Sequence, residues 1–252
     1  MMDYKELQNE LFSLKGVDVQ EIGNIHSGNI QYRVYQVCTG QKENLRILLS
    51  AGIHGDEPAG VSALIEFMKY HIKDYADKLN FSIFPCLNPW GFEHNRRTNY
   101  YGIDINRSFV KNNSIIALIL KKRIASGPDY ALALNLHEDN TNIEVEGFPK
   151  EENPKSFYLY ENSLETKGFG IKVIQGLIRQ GIEICTSDTI YGEANKQGVI
   201  FSIDSKGEFE ESLRKYAKKI IVTETPTCWS LEKRISVQLN SLLTALEILT
   251  VE

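Results

Sequence analysis

His54 and Glu57 stand three residues apart in Ser50-Ala51-Gly52-Ile53-His54-Gly55-Asp56-Glu57-Pro58. An imidazole and a carboxylate at that spacing, on one turn, can both reach a single cation. The turn leaves an apolar run, residues 45–50, and a helix-like pattern begins directly behind it. Two ligands so placed leave positions for a third protein group and for water, as a catalytic metal site requires. His137, in Ala133-Leu134-Asn135-Leu136-His137-Glu138-Asp139, is the candidate third ligand, and it follows a second apolar run, residues 130–136. Two His and one Glu form a ligand set suited to Zn²⁺. A single His in a loop is more often a hydrogen-bonded polar group than a ligand. Of five His, however, His26, His71 and His94 fall in a turn, a helix and a polar loop, whereas His54 and His137 both adjoin core strand ends and acids.

Other reactive groups follow in order. Arg96-Arg97-Thr98-Asn99 and then Gly102-Ile103-Asp104-Ile105-Asn106-Arg107 lie in a polar stretch, residues 92–108, that reads as a long surface loop. A guanidinium beside a metal can stabilise a developing oxyanion, and an Asn-Arg pair can grip a carboxylate. An exposed basic loop held by surface ion pairs is an equally good reading of these residues in isolation. Glu224, in Ile221-Val222-Thr223-Glu224-Thr225-Pro226, ends another apolar run. A carboxylate there can serve as general base and return the proton to a leaving amine, or simply form part of a strand-to-loop turn.

The elements that must position these groups alternate. Residues 3–15 suit an amphipathic helix, and residues 17–25 and 30–37 an edge hairpin around Ser27-Gly28-Asn29. Core strands are expected at 45–50, 81–87, 130–136 and 219–223. Helices are expected from Pro58 to about Tyr75, at 115–124, at 171–180 and at 231–249. This order predicts an α/β fold, a mixed, mostly parallel central sheet with helices on both faces. In such sheets ligands bind at the carboxyl ends of strands. His54, Glu57, Asn88, His137 and Glu224 all fall at or just past such ends.

The 252 residues carry a net charge of −5, with 42% hydrophobic and 24% charged residues, ordinary for one globular domain spanning residues 1–252. No basic run suggests a nucleic-acid partner. No apolar run reaches the roughly 18 residues of a membrane span, and the N-terminus lacks the pattern of a secretion signal. Cys38, Cys86, Cys185 and Cys228 are widely spaced, with no CxxC pair, so free buried thiols in a reducing cytoplasm are expected rather than disulfides or cysteine-bound zinc.

Taken in order, His54-x-x-Glu57, Asn88-Pro89-x-Gly91, Arg97-x-Asn99, Asp104-x-Asn106-Arg107, His137 and Glu224 resemble the zinc carboxypeptidases of the M14 family. Each motif is weak alone; their shared order, covering residues 50–226, is specific. The resemblance implies a zinc carboxypeptidase-like, phosphorylase/hydrolase-like fold and one Zn²⁺ held by His54, Glu57 and His137. It further implies Arg97 at the oxyanion, Asn106 and Arg107 on a terminal carboxylate, and Glu224 as general base. Arg97 is preferred over Arg96 by its spacing to Asn99 and Gly102. The chain is shorter than the digestive enzymes, so specificity loops are expected to be trimmed. Their substrate-capping Tyr has no clear match: Tyr191 is the candidate, although it lies further from Glu224 than expected. Glu138 and Asp139 could tune the metal, select substrate or lie in solvent. Phe201, Ile203, Asp204 and Lys206 are candidate pocket-lining residues, with no prediction of the charge preferred.

Three functions are compatible with this pattern. The first is a metallocarboxypeptidase acting on a peptide or peptide-like molecule, with cell-wall fragments one possible source. The second is an N-acyl amino acid hydrolase like aspartoacylase and succinylglutamate desuccinylase, which the pattern also resembles in its His-Gly-x-Glu and Asp-x-Asn-Arg segments. The third is a non-catalytic zinc protein that binds C-terminal carboxylates. Oligomeric state cannot be read from the sequence.

Overall fold

The apolar runs form the middle of one ten-stranded sheet, ordered β1-β2-β4-β3-β5-β10-β6-β9-β8-β7. The computed structural model describes residues 2–145, 147–163, 168–202 and 208–251. Strands β3 (Leu45–Ala51), β4 (Leu79–Phe84), β5 (Tyr130–Asp139) and β10 (Ala217–Pro226) run parallel at the centre. β1 (Asp18–Ser27) and β2 (Ile30–Thr39) make the expected edge hairpin, and β2 pairs antiparallel with β4. On the other flank β6 (Tyr158–Glu161) runs antiparallel to β10. Three short strands, β7 (Thr189–Ile190), β8 (Glu193–Lys196) and β9 (Val199–Ile200), complete the far edge. The sheet is mixed, as expected, with its parallel part concentrated in the four buried central strands.

Among the described residues, eight α-helices surround it. They are α1 (Tyr4–Ser13), α2 (Pro58–Glu66), α3 (Pro89–His94), α4 (Ser108–Lys111), α5 (Ile115–Ile124), α6 (Phe169–Arg179), α7 (Phe209–Leu213) and α8 (Leu231–Val251). Strand side chains alternate between the two faces, and this alternation divides the molecule into a packing side and a chemical side. On β5, Leu136 lies against Gly60 of α2, and on β10, Thr223 donates to Gln238 of α8 at 2.6 Å. The intervening residues, Asn135, His137, Asp139, Val222 and Glu224, face the opposite way. Tyr158 and Tyr160 of β6, which pair with Glu224 and Val222, share that second face. Helices α2, α6 and α8 cover the first face, while α4, α5 and α7 cover part of the second.

Several expectations need correction. Residues 92–108 are largely the exposed loop expected, except that α3 takes the first part and Asn99, Ile105 and Asn106 are buried. His137 and Glu224 lie within β5 and β10 rather than past their ends, because both strands continue beyond the apolar run. The helix begun by Pro58 ends at Glu66 and passes into a π turn (Phe67–His71) and a 3-10 turn (Ile72–Asp74). All four cysteines are free, but only Cys86 and Cys185 are buried; Cys228 is exposed and Cys38 half-buried. No helix among the described residues is long and apolar enough to cross a membrane.

Two turns are locked together at the carboxyl ends of β3 and β4. Gly55 N–H donates to the Arg96 carbonyl at 3.1 Å, and Asn88 N–H donates to the Gly52 carbonyl at 2.8 Å. A Cβ on Gly55 would stand 2.0 Å from the Gly91 carbonyl carbon and 2.3 Å from Phe92 N. Both obstacles are backbone and cannot rotate away. Replacing Gly55 by Ala should therefore cost about 1–3 kcal/mol through overpacking and push the two turns apart. The measurable result is a Tm several degrees lower, together with weakened binding of a divalent metal. An unchanged Tm would show that the turns are not locked as described.

Candidate metal centre

The three proposed ligands meet. His54, Glu57 and His137 are all buried, with relative exposures of 3%, 6% and 4%, and one ligand atom from each lies within 4.8 Å of the others. His54 Nδ1 is 2.6 Å from Glu57 Oε1, and His137 Nδ1 is 2.8 Å from Glu57 Oε2. Glu57 occupies the N-cap position of α2, where Pro58 fixes the first turn, but its side chain does not cap the helix. The helix is closed from elsewhere: Ala59 N–H donates to Glu138 Oε2 at 2.8 Å, which frees the Glu57 carboxylate for the cluster.

The outer edges of both rings are also held. His54 Nε2 lies 3.4 Å from Asp104 Oδ1. A carboxylate in that position favours the tautomer with hydrogen on Nε2 and a lone pair on Nδ1, directed at the cluster. Asp104 also accepts from Arg97 Nε at 3.0 Å and from Arg107 N–H at 3.2 Å. His137 Nε2 lies 2.8 Å from the Asn135 amide nitrogen. Two imidazoles and a carboxylate, buried and turned on one point beside a cavity, suit Zn²⁺ or a similar divalent ion.

That cavity measures about 660 Å³ and is lined by the three ligands and by Arg97, Asn106, Arg107, Tyr191 and Glu224. Arg96 is not among its lining residues; instead its backbone carbonyl holds Gly55. Asn88 donates to the Arg97 carbonyl at 3.2 Å, and the Asn99 side chain accepts from Tyr101 and Ile103 N–H, so the Arg97 loop is pinned from inside. Arg97 Nη1 lies 3.7 Å from Glu57 Oε1. Asn106 is buried and accepts from Phe209 N–H at 3.0 Å, while Arg107, half exposed, forms an ion pair with Glu208. Glu224 sits directly across from His137 in the β10–β5 ladder. Its side chain makes no hydrogen bond or ion pair with the described residues.

The acids after His137 have separate tasks. Glu138 faces the helices, where Arg234 pairs with its carboxylate, and its own N–H donates to Glu57 Oε2 at 3.2 Å. Asp139 faces the cavity and accepts from Tyr158 OH at 2.9 Å and Tyr191 OH at 2.8 Å. Tyr191 therefore does reach the cavity, on a left-handed backbone (φ 49°) that a bulky side chain seldom adopts. Ile203, Asp204 and Lys206 fall outside the described residues. Phe201 packs partly buried against the core, and its neighbour Ser202 lines the cavity.

Electrostatics follow from burial and crowding. Burial opposes a charge on His54, but Glu57 and Asp104 overcome it and push the imidazole pKa up to about 9. Burial acts to raise Glu57, yet the two imidazoles hold it well below the usual carboxylate range. Glu224 goes the other way: burial first, then the charges of Glu57 and Asp139, raise it well above 4.5. Burial also lifts Glu138 to about 7 against the pull of Arg234 and Ala59 N–H.

Sequence reasoning missed four participants. Asp104 stood inside a quoted motif without a role. Asn135 precedes His137 by two, the spacing that puts both on one strand face, and this could have been read. Glu210 and Arg234 reach the site from distant helices and leave no local signal.

The model of the succinylglutamate desuccinylase/aspartoacylase catalytic domain matches residues 43–249, a span that contains every site residue described above. No curated protein matches the chain. Among solved structures, a provisionally named metallopeptidase from Shewanella amazonensis is similar at TM-score 0.80 and 24% identity, over 98% of this chain and 94% of that one. A second, from Shewanella baltica, is similar at TM-score 0.77 and 25% identity, over 97% and 91% of the two chains. A metallo-carboxypeptidase from Burkholderia cenocepacia shares the fold at TM-score 0.70 and 14% identity, over 97% of this chain and 68% of that one. The match across residues 43–249 reaches beyond fold: this chain belongs to the succinylglutamate desuccinylase/aspartoacylase catalytic domain family, within a superfamily of zinc-dependent hydrolases.

Proposed function

We propose that the chain, acting as a single catalytic domain in the cytoplasm, is a zinc-dependent metallocarboxypeptidase. It would cleave the C-terminal amide of a peptide or peptide-like substrate. The observation that carries this reading is the opening of Glu224, Arg97, Asn106, Arg107 and the His54–Glu57–His137 cluster onto one cavity. His54, Glu57 and His137 would hold the ion. When bound, zinc supplies Lewis-acid charge and lowers the pKa of water beside it.

The chain's own residues do the rest. Glu224 takes a proton from the attacking water and returns it to the leaving nitrogen. Its elevated pKa makes it a stronger base than an exposed carboxylate. Arg97, anchored by Asp104, places a guanidinium where negative charge grows on the carbonyl oxygen. Arg107, with Asn106 at its side, receives the substrate carboxylate, which must displace Glu208 from the guanidinium. Tyr191, held in place by Asp139, caps the substrate.

One observation favours a second reading, hydrolysis of small N-acyl amino acids: the family match itself. A non-catalytic carboxylate-binding protein is less well supported, because the Glu224 side chain, partly buried and unpaired among the described residues, lines the cavity beside the cluster.

Purified protein should contain about one equivalent of zinc by elemental analysis, and His137→Ala should lose it. Asp104→Asn should weaken metal binding by about 10–100-fold. Glu224→Gln should retain the metal and lose at least about 10²-fold in kcat; normal turnover would remove Glu224 from the role of base. Glu224 must be ionised to act, so kcat/KM should fall as pH drops through its raised pKa, placing the acid limb above the usual carboxylate range. A panel of free and C-amidated peptides beside N-acyl amino acids separates the two hydrolytic readings. Preference for the free-carboxylate peptides supports the first, and turnover of N-acyl amino acids alone supports the second.

A further inference from the structure

The segment that opens α7 touches the site three times in succession. Glu208 pairs with Arg107, Phe209 N–H is accepted by Asn106, and Glu210 reaches inward to Asn135. The last contact lies deepest. Glu210 is 2% exposed, and its Oε1 accepts from Asn135 Nδ2. Asn135 is itself anchored, accepting from Ser50 Oγ at 3.0 Å on the neighbouring strand. The same Asn135 nitrogen lies 2.8 Å from His137 Nε2, and Glu210 Oε1 stands 3.9 Å from that ring nitrogen.

We propose that Glu210 is a positioning residue for the metal centre, acting through Asn135 to set the ring of His137. The inference rests on the metal reading above. Each histidine has its outer nitrogen held, His54 by Asp104 at 3.4 Å and His137 by the Asn135 amide nitrogen at 2.8 Å, with Glu210 behind that amide and 3.9 Å from the ring. By fixing the Asn135 amide that contacts His137 Nε2, the Glu210 carboxylate fixes the orientation in which the ring is held. A role confined to α7 does not account for the geometry, since the Glu210 carboxylate is directed to a strand residue of the sheet rather than to its own helix.

The test uses full-length protein stripped of metal and titrated with Co²⁺. Affinity is measured by competition with a chromophoric chelator, and the ligand field by the visible cobalt bands. Wild type should bind one Co²⁺; if it binds none, the metal reading fails and this inference with it. Given wild-type binding, Glu210→Gln keeps an oxygen for Asn135 but removes the charge. It should weaken Co²⁺ binding by about tenfold or more and shift the cobalt bands, with the metal-free Tm close to wild type. Wild-type affinity and bands in Glu210→Gln would overturn the proposal and leave the metal reading intact. Should that variant fail to fold, Asn135→Ser decides: it should show the same weakening, and unchanged affinity would overturn the proposal.

Discussion

Burying the carboxylate of Glu57 between two imidazoles is the constraint that the surrounding structure satisfies. An ionised carboxylate out of water is expensive unless it is paired. Here the two rings that neutralise it come from different strands: His54 follows β3, and His137 lies within β5. The cluster therefore forms only when those strands are adjacent and in phase. Each nearby polar group then has to be satisfied without borrowing from Glu57. Glu138 closes α2 in its place, and Arg234 on α8 balances Glu138. Gln238 donates to the His137 carbonyl at 2.6 Å. The packing side of the sheet thereby braces the chemical side through the backbone of β5.

Much of this could be read from the sequence because it is local or periodic. The apolar runs fixed four central strands, and Pro58 marked the start of a helix. The spacing of His54, Glu57, Asn106 and Arg107 identified groups that the fold does bring to one cavity. What escaped depended on partners far apart in the chain. The polar stretch 92–108 looked solvated because it is rich in Asn and Arg. Most of it is exposed, but Asn88 and Asn99 spend their side chains on backbone groups and draw part of the segment inward. Strands β6 to β9 are too short to show periodicity. Glu138 and Asp139 are neighbours with opposite fates, decided by strand alternation that composition alone does not reveal.

The part of the cavity wall formed by Asp139, Tyr158 and Tyr191 is built by a different device. Asp139 accepts two phenolic hydrogens and so fixes Tyr158 from β6 and Tyr191 from the β7–β8 turn. Tyr191 keeps a left-handed backbone, a conformation that costs about 1–3 kcal/mol. The hydrogen bond to Asp139 and the packing against Phe148, 5.8 Å between ring centroids, offset that strain. A side chain held so firmly is already placed before any substrate arrives, which lowers the entropic cost of enclosing one.

The pairing of Glu224 with His137 across β10 and β5 has a consequence for how the chain acquires activity. Nothing else among the described residues grips the Glu224 side chain; the hydrogen-bond ladder alone aims it. A slip of one residue between these strands would keep the sheet paired yet turn Glu224 toward α8 and a threonine toward the cavity. Competence is thus decided when two strands find their register. A compact but misaligned molecule would hold every residue of the proposed site and, on that proposal, still be inert.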